Sequence, residues 1–137
     1  MLEIMNLSAG YSGREVLREF SLTLPEGSVT ALVGPNGCGK STLLKTLTGI
    51  LPYRGMILFR GNNLADLSGK DRAKQIAFLP QSRPTPEITS EKLVLHGRFP
   101  YLSYPRRYGA ADLQAAQDAM AQMNISHLAE RTLSSLS

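Results

Sequence analysis

The run Gly34-Pro35-Asn36-Gly37-Cys38-Gly39-Lys40-Ser41-Thr42 carries the clearest chemistry in the chain. It matches the pattern G-x-x-x-x-G-K-[ST], in which a glycine-rich turn opens onto a helix. The glycines permit backbone conformations that a Cβ forbids, so the loop's N–H groups can point inward as a nest for phosphate oxygens. The helix that follows adds its unpaired N-terminal N–H groups and the positive end of its dipole. Lys40 brings a point charge to the β- and γ-phosphates, and the Ser41 hydroxyl suits Mg²⁺. From ordinary glycine, lysine and hydroxyl-residue usage, a chance match in a chain this long is on the order of one in a few hundred. The competing reading is a tight strand-to-helix turn with no ligand. The context described next favours the phosphate loop.

Such a loop needs a strand before it and a helix after it. Ser28-Val29-Thr30-Ala31-Leu32-Val33 is β-branched and apolar and reads as a buried strand. After Lys40, Leu43, Leu44, Leu47 and Leu51 recur at helical spacing, with Gly49 as a stop. Upstream, Leu2-Glu3-Ile4-Met5 alternates as a first strand, Ser8 to Gly13 form a loop, and Val16 to Leu24 form a second strand. Downstream, Gly55 to Arg60 read as a strand and Gly61-Asn62-Asn63 as a turn. Ser68, with Asp71 three residues on, starts a short helix through Gln75. Ile76 to Leu79 is one more short strand. After Gln81 the character changes: Arg83-Pro84-Thr85-Pro86 is a stiff linker, and Thr89 caps a helix running to about His96. Pro100 to Pro105 are irregular. Ala110 to Met123 form a helix that Asn124 ends, with Asp112 well placed near its start.

The totals agree with a folded domain. The chain has 137 residues, 42% hydrophobic and 19% charged, which suits a packed core and not a disordered tail. No apolar run reaches the ~18 residues of a membrane span, and the start lacks the basic cluster of a signal peptide. The single cysteine, Cys38, excludes an internal disulfide and a cysteine-built metal site. A small tolerated residue is the simpler account of it than a redox group, with thiol sensitivity of ligand binding expected where the sulfur is exposed. The net charge of +4 is spread along the chain, so a basic, soluble surface is expected and no nucleic-acid partner.

Beyond the loop, the sequence resembles the start of an ATP-binding cassette (ABC) subunit over its whole length. Tyr11, in Ser8-Ala9-Gly10-Tyr11 with Val16-Leu17 after it, is similar to the family's aromatic residue that stacks on adenine. Such a stack is worth ~1–3 kcal/mol. Phe78-Leu79-Pro80-Gln81 resembles the strand end and glutamine of the family's Q-loop, where the amide reaches Mg²⁺ and the attacking water. The ending Leu133-Ser134-Ser135-Leu136-Ser137 resembles the approach to the signature sequence. The family's Walker B aspartate, catalytic glutamate and switch histidine have no match, and His96 and His127 read as surface or packing residues. The resemblance thus covers the front part of a cassette.

The resemblance implies a P-loop NTPase fold of α/β class: an antiparallel β subdomain and part of the nucleotide-binding core over residues 1–81, then a helical subdomain over 82–137. It implies ATP and Mg²⁺ as ligands, held by Tyr11 and Gly34 to Thr42, with Ser41 and Gln81 at the metal and Lys40 and Gln81 in catalysis. It also implies that strand 29–33 lacks partners, leaving an apolar edge open, and that this chain alone hydrolyses ATP negligibly. Leu93-Val94-Leu95-His96-Gly97-Arg98-Phe99-Pro100-Tyr101-Leu102 is similar to a subgroup that energises import of iron chelates (siderophores, haem) and cobalamin. For such a subunit the partners are an integral membrane permease, a head-to-tail second copy and, indirectly, a substrate-binding protein. Its place is cytoplasmic, peripheral on the inner face of the membrane. Arg98, Arg106 and Arg107 then either meet acidic permease groups or face water. The rival readings are a non-transport ABC protein of DNA repair or the ribosome, and an unrelated P-loop kinase.

Overall fold

The computed structural model describes residues 1–81 and 85–136. The chain divides into two compact units, Met1–Phe78 and Leu79–Ser137. In the first, β1 (Leu2–Tyr11), β2 (Arg14–Leu24), β3 (Tyr53–Phe59) and β4 (Asn62–Asn63) form one sheet in the order β2-β1-β3-β4. Each pairing is antiparallel. Ser12-Gly13 joins β1 to β2 with Tyr11 opposite Arg14, and Arg60-Gly61 joins β3 to β4 with Phe59 opposite Asn62. These turn residues all have positive φ, the turn geometry whose twist matches that of paired strands.

Three strands are longer than their sequence suggests, β2 by starting at Arg14 instead of Val16. β1 continues through Ser8 to Tyr11, where a loop was expected, because pairing survives irregularities that break the alternation. Asn6 sits at φ 48° and the register shifts between Met5 and Ser8 against β3. A bulge adds one residue and erases the period of two while the ladder goes on. β3 likewise starts at Tyr53 rather than Gly55, and Asn62 and Asn63 pair as β4 instead of forming the turn.

Helix α1 (Lys40–Leu47) follows the glycine-rich loop. Its Leu43 joins Ile4, Leu7, Ala9, Leu17, Ile57 and Leu64 in the buried core, so one helix face is fixed against the sheet. Burying a leucine of this kind is worth about 1.5–3 kcal/mol. The buried stripe differs from the expected leucine series, since Leu44 is 43% exposed while Thr46 is fully buried. Thr46 is tolerated there because its hydroxyl donates to the Leu43 carbonyl at 2.6 Å. Gly49 ends the helix at φ 75°. Helix α2 (Gly69–Gln75) begins as expected, with Ser68 Oγ accepting from the Asp71 N–H at 3.1 Å.

Two expected strands are not formed. Residues 28–33 run as irregular, exposed chain, with Val29 at 102% and Val33 at 89% exposure. Residues 76–79 are also without strand pairing. A parallel-type strand has no hairpin neighbour and draws its hydrogen bonds from strands far away in sequence; among the described residues no strand pairs with either segment.

In the second unit, α3 (Ser90–His96) is capped by Thr89, whose hydroxyl accepts from the Lys92 N–H at 3.4 Å, and Gly97 caps its end. Helix α4 (Ala110–Gln122) is followed by Asn124 at φ 56°, close to the expected stop. Leu102, Ala116 and Met120 are buried in this unit. Ser90 and Glu91 donate backbone N–H bonds to the carbonyls of Arg131 and Ala129, tying the last residues to α3. Arg98 Nε donates to Asp112 Oδ1 at 3.0 Å, and Asp112 Oδ2 accepts from the Gly109 N–H at 3.0 Å. Between these helices Phe99–Tyr101 form one 3₁₀ turn within the stretch expected to be irregular. His96 and His127 are exposed. The expected linker falls partly on residues 83–84, outside the described residues. Among the described residues no helix is long and apolar enough to cross a membrane.

Candidate functional site

The sheet and α1 together hold the glycine-rich loop. Core contacts of Leu43 place the start of α1 beside β1 and β2, and Gly39 carries this contact to the loop itself. A Cβ on Gly39, which has φ 103°, would stand 2.8 Å from Leu17 Cδ2 and 3.3 Å from Val16 Cγ1. Only glycine lets the backbone lie this close to β2 in that conformation. Gly37 is also left-handed, at φ 82°, but open to solvent. The loop is thus pinned on its sheet side and free on its outer side.

The outer side is rich in unclaimed donors. Cys38 N–H donates to the Pro35 carbonyl at 3.4 Å and Leu43 N–H to the Gly39 carbonyl at 2.9 Å. Among the described residues no acceptor takes the N–H groups of Gly37, Gly39, Lys40, Ser41 or Thr42. The first turn of α1 holds no acidic residue and no side chain caps it. Such a set of N–H groups at a positive helix end fits a polyanion and disfavours a cation.

Lys40 lies across this loop. Its ammonium donates to the carbonyls of Gly34 at 2.7 Å and Pro35 at 2.8 Å, with the Cys38 sulfur at 3.6 Å. To serve a γ-phosphate it exchanges these carbonyls for phosphate oxygens, within reach of its flexible four-carbon stem. Ser41 is exposed, and Asn36 lies in the turn that leads to Gly37. Thr42 is buried, so its side chain belongs to the packing of α1. Among the described residues no three His, Cys, Asp or Glu side chains gather as a metal site. A divalent ion here would draw its ligands from phosphate oxygens, water and Ser41, a donor set that suits Mg²⁺.

Tyr11 ends β1 with 43% of its surface exposed, and the Lys45 ammonium sits 5.4 Å from its ring centroid. Tyr11 and the last turn of α1 are therefore neighbours within the first unit. Lys45 was not singled out from sequence; a basic residue in the last turn of a short helix is an ordinary partner of the helix dipole. Gln81 belongs to the second unit, exposed directly after Pro80. Leu136 is exposed at the end of the last 3₁₀ turn, and Ser137 lies outside the described residues.

Two cavities lie near these elements. One space, about 200 Å³, is lined mostly by apolar residues, Leu17, Phe20, Leu32, Val33 and Leu43, along with Cys38, Gly39 and Lys40. A larger groove of about 630 Å³ contains Arg14, Arg18, Arg54 and Glu15 but none of the loop. The ion pair of Arg54 with Glu15 partly neutralises it. The feature that suits a polyanion is the donor array of the loop, not a cavity.

Comparison with known proteins shows the family. Residues 17–137 match the family model described as ABC transporter. The chain is 38% identical over 133 residues to the "Probable siderophore transport system ATP-binding protein YusV" of Bacillus subtilis (strain 168), covering 96% of this chain and 48% of that protein. It is 41% identical over 139 residues to the "Hemin import ATP-binding protein HmuV" of Gloeobacter violaceus, covering 100% of this chain and 50% of that protein. A nucleotide-free ATP-binding cassette from an ABC transporter superposes with a TM-score of 0.82 at 22% identity, over 100% of this chain and 59% of that one, which shows a common fold. The chain spans about half the length of the curated relatives it matches. With its antiparallel sheet, phosphate-loop helix and helical second unit, the chain belongs to the ABC transporter family.

Proposed function

We propose that this chain is the nucleotide-binding part of an ABC importer subunit that couples ATP binding and hydrolysis to uptake of an iron chelate, a siderophore or haem. The observation that carries the reading is the row of unclaimed N–H groups from Gly37 to Thr42, backed by the Lys40 ammonium. In this reading the N–H groups of Gly37, Gly39, Lys40, Ser41 and Thr42 bind the phosphate oxygens. Gly34, Pro35, Asn36 and Cys38 supply the turn that aims them. Lys40 leaves its two carbonyls to neutralise the γ-phosphate, and Tyr11 stacks on the base. Ser41 and Gln81 hold Mg²⁺, which when bound neutralises charge on the β- and γ-oxygens. Bringing Gln81 to that point belongs to the proposal, since it lies in the other unit.

The cargo class is supported by the names of the relatives, siderophore transport for one and hemin import for the other. The partners follow the same reading: an integral membrane permease, a second copy arranged head-to-tail and, indirectly, a substrate-binding protein, with the subunit peripheral on the cytoplasmic face. The second unit offers Arg106 and Arg107 as exposed cations for acidic permease groups. The chain by itself is expected to bind ATP at most and to turn it over negligibly, because the family's Walker B aspartate and catalytic glutamate have no match in its sequence.

Titration of ATP against the chain and its Lys40→Ala variant tests the site. Removing a charged donor to phosphate weakens binding by about ten- to a hundredfold, and unaltered affinity would refute the reading. Recovery of the full-length polypeptide with ribosomes or DNA, and not with a membrane permease, would overturn the importer assignment alone.

A further inference from the structure

Lys45 has an exposed aromatic partner and no acidic one. Its ammonium lies 5.4 Å from the centroid of Tyr11, and among the described residues no carboxylate forms an ion pair with it. It is half-buried in the last turn of α1, the helix whose first residues are Lys40 and Ser41. At the helical rise, Lys45 stands about 7.5 Å along the axis from Lys40. The Lys45–Tyr11 contact therefore ties the end of β1 to the same rigid element that presents the phosphate donors. A cation over one face of a tyrosine is attracted by the ring quadrupole and restricts how the ring turns. The remaining ring surface stays open, since Tyr11 is 43% exposed.

We propose that Lys45 is a positioning residue for the nucleobase: it holds the Tyr11 ring at a fixed orientation to the phosphate loop, so that base and phosphates are received together. This rests on the nucleotide reading above. A lysine serving only the helix dipole would act without regard to the base, and so would one attracting phosphates from a distance. The two roles separate when a ligand with a base is compared with one that has none.

The experiment titrates the full chain with ATP and with inorganic tripolyphosphate, using wild type, Lys45→Ala, Lys45→Gln, Lys45→Arg, Tyr11→Ala and the Tyr11→Ala/Lys45→Ala double variant. The expected result is an ATP affinity about fivefold weaker in Lys45→Ala, the size of a partly exposed cation–π contact. Tripolyphosphate affinity stays constant, Lys45→Arg restores ATP binding, and Lys45→Ala adds nothing in the Tyr11→Ala background. Should Lys45→Ala change the far-UV circular dichroism spectrum, Lys45→Gln takes its place. Equal weakening of both ligands by a folded variant would overturn the role of Lys45, as would full additivity with Tyr11→Ala. A wild type that binds neither ligand would instead remove the nucleotide site, and this role with it.

Discussion

The segment 28–33 is richer in β-branched residues than the sheet of β1 to β4, yet the sheet is a buried core and the segment is exposed chain. Ile4, Leu7 and Ile57 are at most 2% exposed, whereas Val29 is at 102%. The difference lies in where the partners are. β1 finds β2 across a two-residue turn, and β3 finds β4 in the same way, so these hydrogen bonds close at small entropic cost. Residues 28–33 lead into the glycine-rich loop and α1 without a hairpin partner, and among the described residues no strand pairs with them. Strand propensity records how a residue fits a pleated, half-buried surface; it does not supply the surface.

The sharpest way to break this contrast is to truncate one residue on each side of it. Ile57→Ala should lower the stability of the chain by about 2–5 kcal/mol, the usual cost of a buried isoleucine or leucine with its cavity. Val29→Ala should change it by less than about 0.5 kcal/mol, as for an exposed site without special contacts. Urea unfolding of both variants measures this. Comparable losses would mean that residues 28–33 are packed after all.

Gly39→Ala sharpens the comparison at the point where the two regions meet. The loop follows the unpaired segment but is pinned to the paired sheet through Gly39 against Leu17 and Val16. An alanine at φ 103° costs about 1–2 kcal/mol from its backbone conformation, and its methyl group pushes on Leu17. The expected outcome is a modest loss of stability with a larger loss of ATP affinity, because the N–H groups of Lys40 and Ser41 are displaced. Unchanged affinity would show that the sheet does not aim the loop.

The same contrast explains what was legible in the sequence. The glycine-rich turn and the helix after it were readable because their constraints are local: glycine conformations and a following apolar helix face. Helices α2, α3 and α4 were readable for the same reason, through Ser68, Thr89 and Asn124 at their ends. The full length of β1 was not, since the bulge at Asn6 removed the alternation while pairing continued. The strands expected at 28–33 and 76–79 do not form, because apolar composition alone supplies no pairing partner, and among the described residues none pairs with them. The expectation for Tyr11 rests on family resemblance, whereas Lys45 lacks any one-dimensional signal and is noticeable only through the ring beside it.

The smallest predicted effect concerns the second unit, where local closure is electrostatic rather than a hairpin. The Gly109 N–H, and then the Arg98 guanidinium, hold the Asp112 carboxyl below its ordinary range. A folded-state pKa below the unfolded value, about 3.9, means that the unfolded chain takes up the proton first as pH falls. The stabilisation is complete above the unfolded pKa and is lost as pH drops through the folded one. Thermal unfolding of wild type and Asp112→Asn, followed by helical circular dichroism, should differ at pH 7. The gap should narrow steadily once pH falls below about 4. A gap of constant size down to the lowest pH would mean that Asp112 acts through shape alone. In that case the link between α4 and Arg98 would owe nothing to charge, and the second unit would be held, as the first is, by packing and backbone hydrogen bonds.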